Sequence, residues 1–167
     1  MNQDLYLHGL IGGGGSAPVA AWTRPTDWLP VPDLAVDDDK IYILMAIEET
    51  TANFIAFFIS TLGVSAGKGT TYIYDVDWGD GVIESFDDED ATHRYDWANI
   101  PSNTLTSDGY RQVLITITPG AGDSITYVDF YTPTHPEANP AYSTIVYELK
   151  LNCPNANYVK ISSGGGG

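Results

Sequence analysis

Three aspartates beside a glycine-containing turn are the residues best placed to do chemistry in this chain. Asp75, Asp77 and Asp80 stand close together, and Asp87 and Asp88 follow a few positions later. Clustered carboxylate oxygens suit Ca²⁺, but the spacing is not that of an EF-hand loop, because a phenylalanine occupies the position of the closing glutamate. A looser calcium site stays open as an alternative. In the simpler interpretation, these aspartates build a turn and form a solvated acidic rim.

No other group of residues has the spacing that catalysis or metal binding requires. Segment 63–70 superficially resembles a phosphate-binding loop, but a glycine follows Lys68 where that motif needs Ser or Thr. His8, His93 and His135 are far apart, and no Gly-x-Ser-x-Gly motif marks a hydrolase nucleophile. Apart from the calcium alternative, we predict a protein that is not an enzyme and has no catalytic residue, metal or cofactor.

The composition excludes several classes of partner. The chain has 167 residues and a net charge of −15, with only 7 Lys and Arg, so it lacks the basic surface that nucleic acid attracts. An anionic membrane surface is excluded for the same reason. The length suits one domain with arms, and the single Cys153 is expected to be a small buried residue. Neither a signal peptide nor an apolar run of roughly 20 residues is predicted.

The run Trp78-Gly79-Asp80-Gly81 predicts a tight hairpin. Because side chains alternate along a strand, Trp78 shares one face with the valine two positions before it, while the preceding aspartates point the other way. Gly79 and Gly81 supply the positive φ angles that such a turn demands, and the Asp80 carboxylate can accept backbone N–H groups. The residues after the turn resume the alternation as a return strand.

Short apolar or alternating segments with turn residues between them predict an all-β sandwich over residues 40–132. The expected strands cover residues 41–47, 54–62, 71–78, 92–97, 110–118 and 124–131. Residues 48–53 are expected to form a hairpin loop, and the Gly-Ala-Gly-Asp turn at 120–123 is expected to join two paired strands. Trp78 and Tyr95 are expected to face the core.

Several of these motifs together resemble the polycystic-kidney-disease-type (PKD) domain, a small immunoglobulin-like β-sandwich. They are the turn at residues 78–81, the strand His93-Arg94-Tyr95, and Tyr110 followed by the alternating run 113–117. The resemblance implies an immunoglobulin-like fold in which His93 is a hydrogen-bonded strand residue. Tyr110 is one residue out of phase with that run. A β-bulge near Arg111 or Gln112 would restore the phase, and without a bulge either Tyr110 or the run 113–117 faces solvent.

Residues 1–39 are expected to form an extended amino-terminal arm that is rich in Gly, Pro and Trp. Segment 12–16 is a glycine-rich linker, and the prolines that follow keep the chain extended. Trp22, Arg24, Pro25 and Trp28 are predicted to dock on a neighbouring subunit, because Trp and Arg dominate interface energetics. The alternative is that both tryptophans fold back on their own sandwich.

Residues 133–167 are expected to be an irregular carboxy-terminal extension. Pro133, Pro136 and Pro140 predict an irregular connection, and the alternation then resumes over residues 142–151. Residues 149–161 look like the opening of a leucine-rich-type repeat, which cannot bury its own apolar face alone.

The order of motifs along the whole chain is similar to that of virion structural proteins of tailed bacteriophages. The matching segments are residues 22–30, 77–81, 109–112 and 118–119. The resemblance implies a virion component assembled in the host cytoplasm, either a tail fibre or a capsid-decorating protein. Its partners would be other virion proteins or further copies of itself. The alternative is a PKD-type spacer or carbohydrate-binding module of a bacterial surface or secreted protein.

Overall fold

The computed structural model describes residues 22–63, 73–87, 90–130 and 143–161. These ranges contain nine β-strands: β1 (Lys40–Ile47), β2 (Asn53–Gly63), β3 (Ile73–Asp77), β4 (Ile83–Asp87), β5 (Asp90–Tyr95), β6 (Arg111–Pro119), β7 (Asp123–Phe130), β8 (Ile145–Asn152) and β9 (Tyr158–Ile161). Two 3-10 turns, Trp97–Asn99 and Ser102–Thr104, lie between β5 and β6. No helix in these ranges has the length and apolar character needed to cross a bilayer.

The strands form two sheets, which confirms the predicted all-β sandwich. Sheet 1 has the strand order β4-β3-β6-β1-β8, and its neighbouring strands are antiparallel. Sheet 2 has the order β5-β2-β7-β9, in which β9 runs parallel to β7. The predicted linker 12–16, most of segment 63–70, and residues His8, Asp88 and His135 lie outside the described residues.

The main core fills the space between the two sheets. Ile43 and Ile117 from sheet 1 and Ile59 from sheet 2 are buried there, together with Trp78 and Tyr95. The burial of both aromatic side chains confirms the prediction made from strand alternation. Burial of this kind is the main term that stabilises a sandwich of this size.

Strand β1 is buried on both of its faces. Its inward side chains join the main core, while Tyr42 and Leu44 point outward into a second apolar cluster. Val31 and Leu34, which belong to the arm formed by residues 22–39, pack onto that outward face. The continuous apolar run of β1 therefore has a structural cause, because a strand covered on both sides has no face to leave polar.

Two connections that the sequence predicts to join paired strands instead cross between the sheets. Strands β1 and β2 lie in different sheets, and so do β6 and β7. The first crossing is fixed by Asn53, whose side chain accepts from the backbone N–H of Glu48 at 2.8 Å and donates to the Thr51 carbonyl at 2.9 Å. Hairpins and crossings use the same turn-forming residue types, so local composition does not separate them.

The sandwich extends past the predicted boundary at residue 132. Strand β8 pairs with β1 and completes one side of sheet 1, and β9 pairs with β7 at the edge of sheet 2. The described part of residues 133–167 is therefore part of both sheets, which corrects the predicted irregular extension. Leu149 and Leu151, assigned from the sequence to the start of a repeat, pack against the main core.

The β-bulge expected near Arg111 or Gln112 does not occur. The pairing of β6 with β1 runs from Arg111 to Ile117 without a shift in register. Tyr110 instead lies on the outward side of sheet 1, where its ring meets Tyr147 edge-on at 6.3 Å between centroids. Tyr110 can point outward without a bulge, because apolar residues of the arm pack on the outward face of this sheet.

Candidate functional site: a turn clasp and an arm seam

The turn between β3 and β4 is built from its own aspartates. The backbone N–H of Trp78 donates to the Val82 carbonyl at 3.0 Å and closes the turn. Asp77 Oδ1 accepts from the backbone N–H of Gly79 at 2.9 Å, and Asp80 Oδ1 accepts from that of Val82 at 3.1 Å. Both carboxylates therefore satisfy backbone donors that a tight turn leaves unpaired.

The two glycines of the turn are required for different reasons. Gly79 has a φ of 77°, and a Cβ atom there would stand 2.6 Å from the carbonyl oxygen of Leu114 in β6. Gly81 has a φ of 97°, but a Cβ atom there would meet nothing within 4 Å. Gly79 thus allows the turn to lie directly against β6, whereas Gly81 supplies only the backbone conformation.

Two side chains of β5 join this turn to sheet 2. The Tyr95 hydroxyl donates to the backbone carbonyl of Trp78 at 3.0 Å, and His93 Nε2 lies 2.8 Å from Asp80 Oδ2. The His93 ring also stacks on the Trp78 indole, with 4.6 Å between centroids and 13° between planes. We call the assembly of Trp78, Gly79, Asp80, Gly81, His93 and Tyr95 the turn clasp, because it fastens a hairpin of sheet 1 to a strand of sheet 2.

The interior of the turn clasp keeps its polar groups paired. Burial, reinforced by the negative charges of Asp80 and Asp77, raises the pKa of the Tyr95 hydroxyl well above its usual range. The hydroxyl therefore stays a proton donor to the carbonyl that it meets. Trp78 Nε1 donates to Glu84 Oε2 at 2.8 Å, a partner on the return strand that sequence reasoning missed. A carboxylate six residues after a turn tryptophan, on the paired strand, is the signal that could have revealed it.

The aspartates proposed as a loose calcium site are not gathered around one point. Asp75 Oδ1 accepts from the Ser85 hydroxyl at 2.5 Å, while Asp77 and Asp80 accept from the backbone of the turn. Within the described residues, no group of three or more His, Cys, Asp or Glu side chains is placed to hold a metal ion. The arrangement matches the simpler interpretation of these residues as turn-builders.

A second polar assembly fixes the arm to the outward face of sheet 1. The Trp28 indole stacks on Tyr147 of β8, with 4.3 Å between centroids and 5° between planes. Arg24 lies over the Trp28 ring of this stack, with its guanidinium carbon 5.6 Å from the ring centroid. Its Nε donates to Glu148 Oε2 at 2.7 Å, and the Glu148 side chain is only 6 % exposed. Arg24 therefore neutralises a buried carboxylate whose other cationic neighbour, Lys150, lies farther away at 3.9 Å.

The buried amide of Gln112 ties the arm to β6. Its Oε1 accepts from the backbone N–H of Leu29 at 2.9 Å, and its Nε2 donates to the carbonyls of Asp27 and Thr104, each at 2.9 Å. The Asp27 carboxylate accepts from the backbone N–H of Ser107 at 2.7 Å, and this bond lowers the pKa of Asp27. The Gln112 side chain thus supplies the hydrogen bonds to the arm backbone that a neighbouring strand would otherwise make.

Further along, two side chains of β8 hold the last part of the arm. Lys150 Nζ donates to the Val31 carbonyl at 3.1 Å, and Asn152 Nδ2 donates to the Ala35 carbonyl at 2.7 Å. We call the contact between residues 22–36 and the outward face of β1, β6 and β8 the arm seam. The alternation of Glu148, Lys150 and Asn152 along β8 places all three on this face, a signal that sequence reasoning missed.

The four residues predicted to dock on a neighbour have different surroundings. Arg24 and Trp28 contact their own sandwich, which is the fold-back arrangement that the sequence left open. Pro25 shapes the arm through its carbonyl, which accepts from the backbone N–H of Trp28 at 3.4 Å. Trp22 lies 6.1 Å from Trp28 between ring centroids and remains 45 % exposed. Docking of this arm on another subunit stays a prediction.

Comparison with known proteins identifies no relative: no protein-family model, no curated protein and no solved structure matches the chain.

Proposed function

We propose that this chain is a non-enzymatic structural component of a tailed-bacteriophage particle, either a fibre or a capsid decoration. In this proposal a PKD-type, immunoglobulin-like sandwich carries an arm that docks on neighbouring virion subunits. The proposal rests on the sequence resemblances, and the arm seam is the structural observation that supports it best. A sandwich that holds its arm with a partly buried ion pair, a buried amide and an aromatic stack is organised to present that arm.

The state of the reactive side chains supports a structural role. His93 is held between Asp80 and the Trp78 ring, and each aspartate of the turn accepts from a neighbouring backbone or hydroxyl group. A general acid or base must reach a substrate proton, and a metal ligand needs companions around one point. These groups are instead committed to the turn clasp.

Within this proposal, Trp22 is the arm residue that acts as the docking anchor. Arg24 and Trp28 are occupied by contacts with β8, so their role is to hold the arm in place. Trp22 lies beside Trp28 at the surface and offers a large apolar area. Interfaces draw most of their binding energy from a few such residues, and an anchor that is already positioned loses little entropy on docking.

The test is incorporation of the protein into particles. We expect mass spectrometry of purified phage to detect the chain, and we expect Trp22→Ala to reduce its incorporation while the Tm of the isolated protein stays unchanged. Ile83→Ala, which truncates an exposed apolar side chain of β4 outside the arm seam, is the matched control and should incorporate normally. Absence of the wild-type chain from particles would overturn the proposal. Absence combined with binding to a glycan array would favour the carbohydrate-binding module instead.

A further inference from the structure

The edge of sheet 2 that ends in β9 carries exposed apolar side chains. All four residues of β9 are exposed, and among the described residues only β7 pairs with this strand. Val159 and Ile161 face the core side, because they stand beside the buried Val128 and the partly buried Phe130, yet they remain 44 % and 37 % exposed. An edge strand of this kind presents unpaired backbone groups together with apolar side chains.

The two edge strands on the opposite side of the sandwich carry more charge than β9, whose one charged residue, Lys160, is paired with Asp129. Strand β4 carries exposed Glu84 and Asp87, and β5 carries exposed Asp90 and Arg94. Charged side chains on an edge strand disfavour pairing with another chain, because pairing would force them together or remove them from water. Of the two edges of sheet 2 in the described residues, β9 is therefore the one better suited to accept a further strand.

The charge distribution favours a second copy of the same chain as the partner. The protein as a whole carries a net charge of −15, which opposes contact between most of its surfaces. Strand β9 is different, since Lys160 is its one charged residue. Lys160 is also paired with Asp129 of β7, at 3.2 Å between Nζ and Oδ2. Two copies can therefore approach at this edge without the repulsion that they meet elsewhere.

We propose that β9 pairs antiparallel with β9 of a second copy about a two-fold axis, with Val159 opposite Val159 of the second copy. A two-fold axis perpendicular to the sheet leaves each side chain on the same face in both copies. Because directly opposed residues of an antiparallel pair share a face, the axis must pass beside a residue that lies opposite the same residue of the second copy. A centre at Lys160 would set two like charges directly opposite, which is destabilising. A centre at Val159 covers its exposed side chain and sets Lys160 opposite Tyr158.

The outward face of this edge fits the same register. Tyr158 stacks on Tyr127 of β7, with 4.4 Å between centroids and 7° between planes, so its ring is already fixed in orientation. Lys160 of the second copy would reach that ring from across the new pair, and a cation beside an aromatic face is attracted to it. The inference is independent of the proposed function, because it concerns only how copies of this chain associate.

Cysteine cross-linking in the full chain tests the register. In a Cys153→Ala background, Val159→Cys should form a covalent dimer on mild oxidation, because cross-strand Cβ atoms at the centre lie about 4.5–5.5 Å apart. Ile161→Cys is the matched control. Its two thiols would be separated by roughly 13 Å along the strands and should not react. Equal cross-linking of both variants, or of neither, would overturn the proposal.

Sedimentation equilibrium tests the association itself. We expect a concentration-dependent doubling of mass for the wild-type chain and its loss in Val159→Asp, with unchanged Tm and circular dichroism at low concentration. Deletion of residues 1–11 should leave the dimer intact. A dimer that survives Val159→Asp, or one that disappears with residues 1–11, would show that another contact joins the copies and would refute pairing through β9.

Discussion

The turn clasp and the arm seam fasten the same sandwich in two different ways. The turn clasp joins groups that are close in sequence, since Tyr95 and Trp78 are 17 positions apart and His93 and Asp80 are 13 apart. The arm seam joins groups that are distant, with 124 positions between Arg24 and Glu148. The clasp is aromatic and lies at the end of the core, whereas the seam combines apolar packing with a partly buried ion pair on an outer face. We expect the turn clasp to determine whether the sandwich folds and the arm seam to determine where the arm lies.

Truncation of the central clasp residue should have the largest effect. Trp78→Ala removes a fully buried indole and leaves a cavity beside Phe57 and His93, so we expect a loss of roughly 3–5 kcal/mol in the free energy of unfolding. Urea denaturation measures it, and Trp22→Ala is the control, with an expected change within about 0.5 kcal/mol. Similar losses in both variants would contradict the difference between clasp and arm.

The two glycines of the turn offer a matched pair for the next effect. Gly79→Ala introduces a Cβ against the Leu114 carbonyl in addition to an unfavourable positive φ, whereas Gly81→Ala introduces only the unfavourable φ. Non-glycine residues at positive φ cost about 1–2 kcal/mol, so Gly81→Ala should fall in that range and Gly79→Ala should exceed it. Thermal unfolding of the two variants decides the matter, and an equal Tm would mean that the turn does not need close contact with β6.

Breaking the arm seam should release the arm without unfolding the sandwich. Arg24→Met leaves Glu148 buried, with its nearest remaining cation, Lys150, 3.9 Å away. We expect a loss of about 1–3 kcal/mol, less than for a fully buried pair because Arg24 is partly exposed. Hydrogen exchange should show faster exchange of the Leu29 amide with unchanged protection in β1. Asp33→Asn, which weakens an exposed pair with Lys150, is the control, and global loss of protection in Arg24→Met would refute a separable seam.

The smallest effect concerns the point where the arm enters β1. Burial, together with the nearby negative charge of Asp39, raises the pKa of the Cys153 thiol to about 12. Near pH 8 the native thiol should therefore be alkylated roughly 1000-fold more slowly than in the unfolded chain. Because the folded-state pKa is the higher one, its contribution to stability declines as pH rises from about 8.5 towards 12. Rapid alkylation of the native protein would contradict this account.

The sequence predicts the turn clasp well because its signals are local. The glycines and aspartates of the turn restrict the backbone by themselves, and strand alternation then puts Trp78 and Tyr95 in the core. The arm seam was only an alternative, because nothing near Trp28 shows that Tyr147 will lie beneath it. The membership of β8 in sheet 1 was missed for the same reason. A strand of alternating residues fits an edge of this sandwich or a separate repeat equally well, and only tertiary pairing decides between them.

The central position of β1 has a consequence for the time at which this protein can become stable. Ile41 pairs with Ile117 on one side and with Leu151 on the other, so both partners of this strand are synthesised long after it. Contacts of such sequence separation require closure of long loops, which places folding of β-rich domains at about milliseconds to seconds. The nascent chain therefore carries its most apolar strand unpaired until almost all of the sandwich has been made. An early pause or truncation in synthesis would leave that strand exposed to other chains.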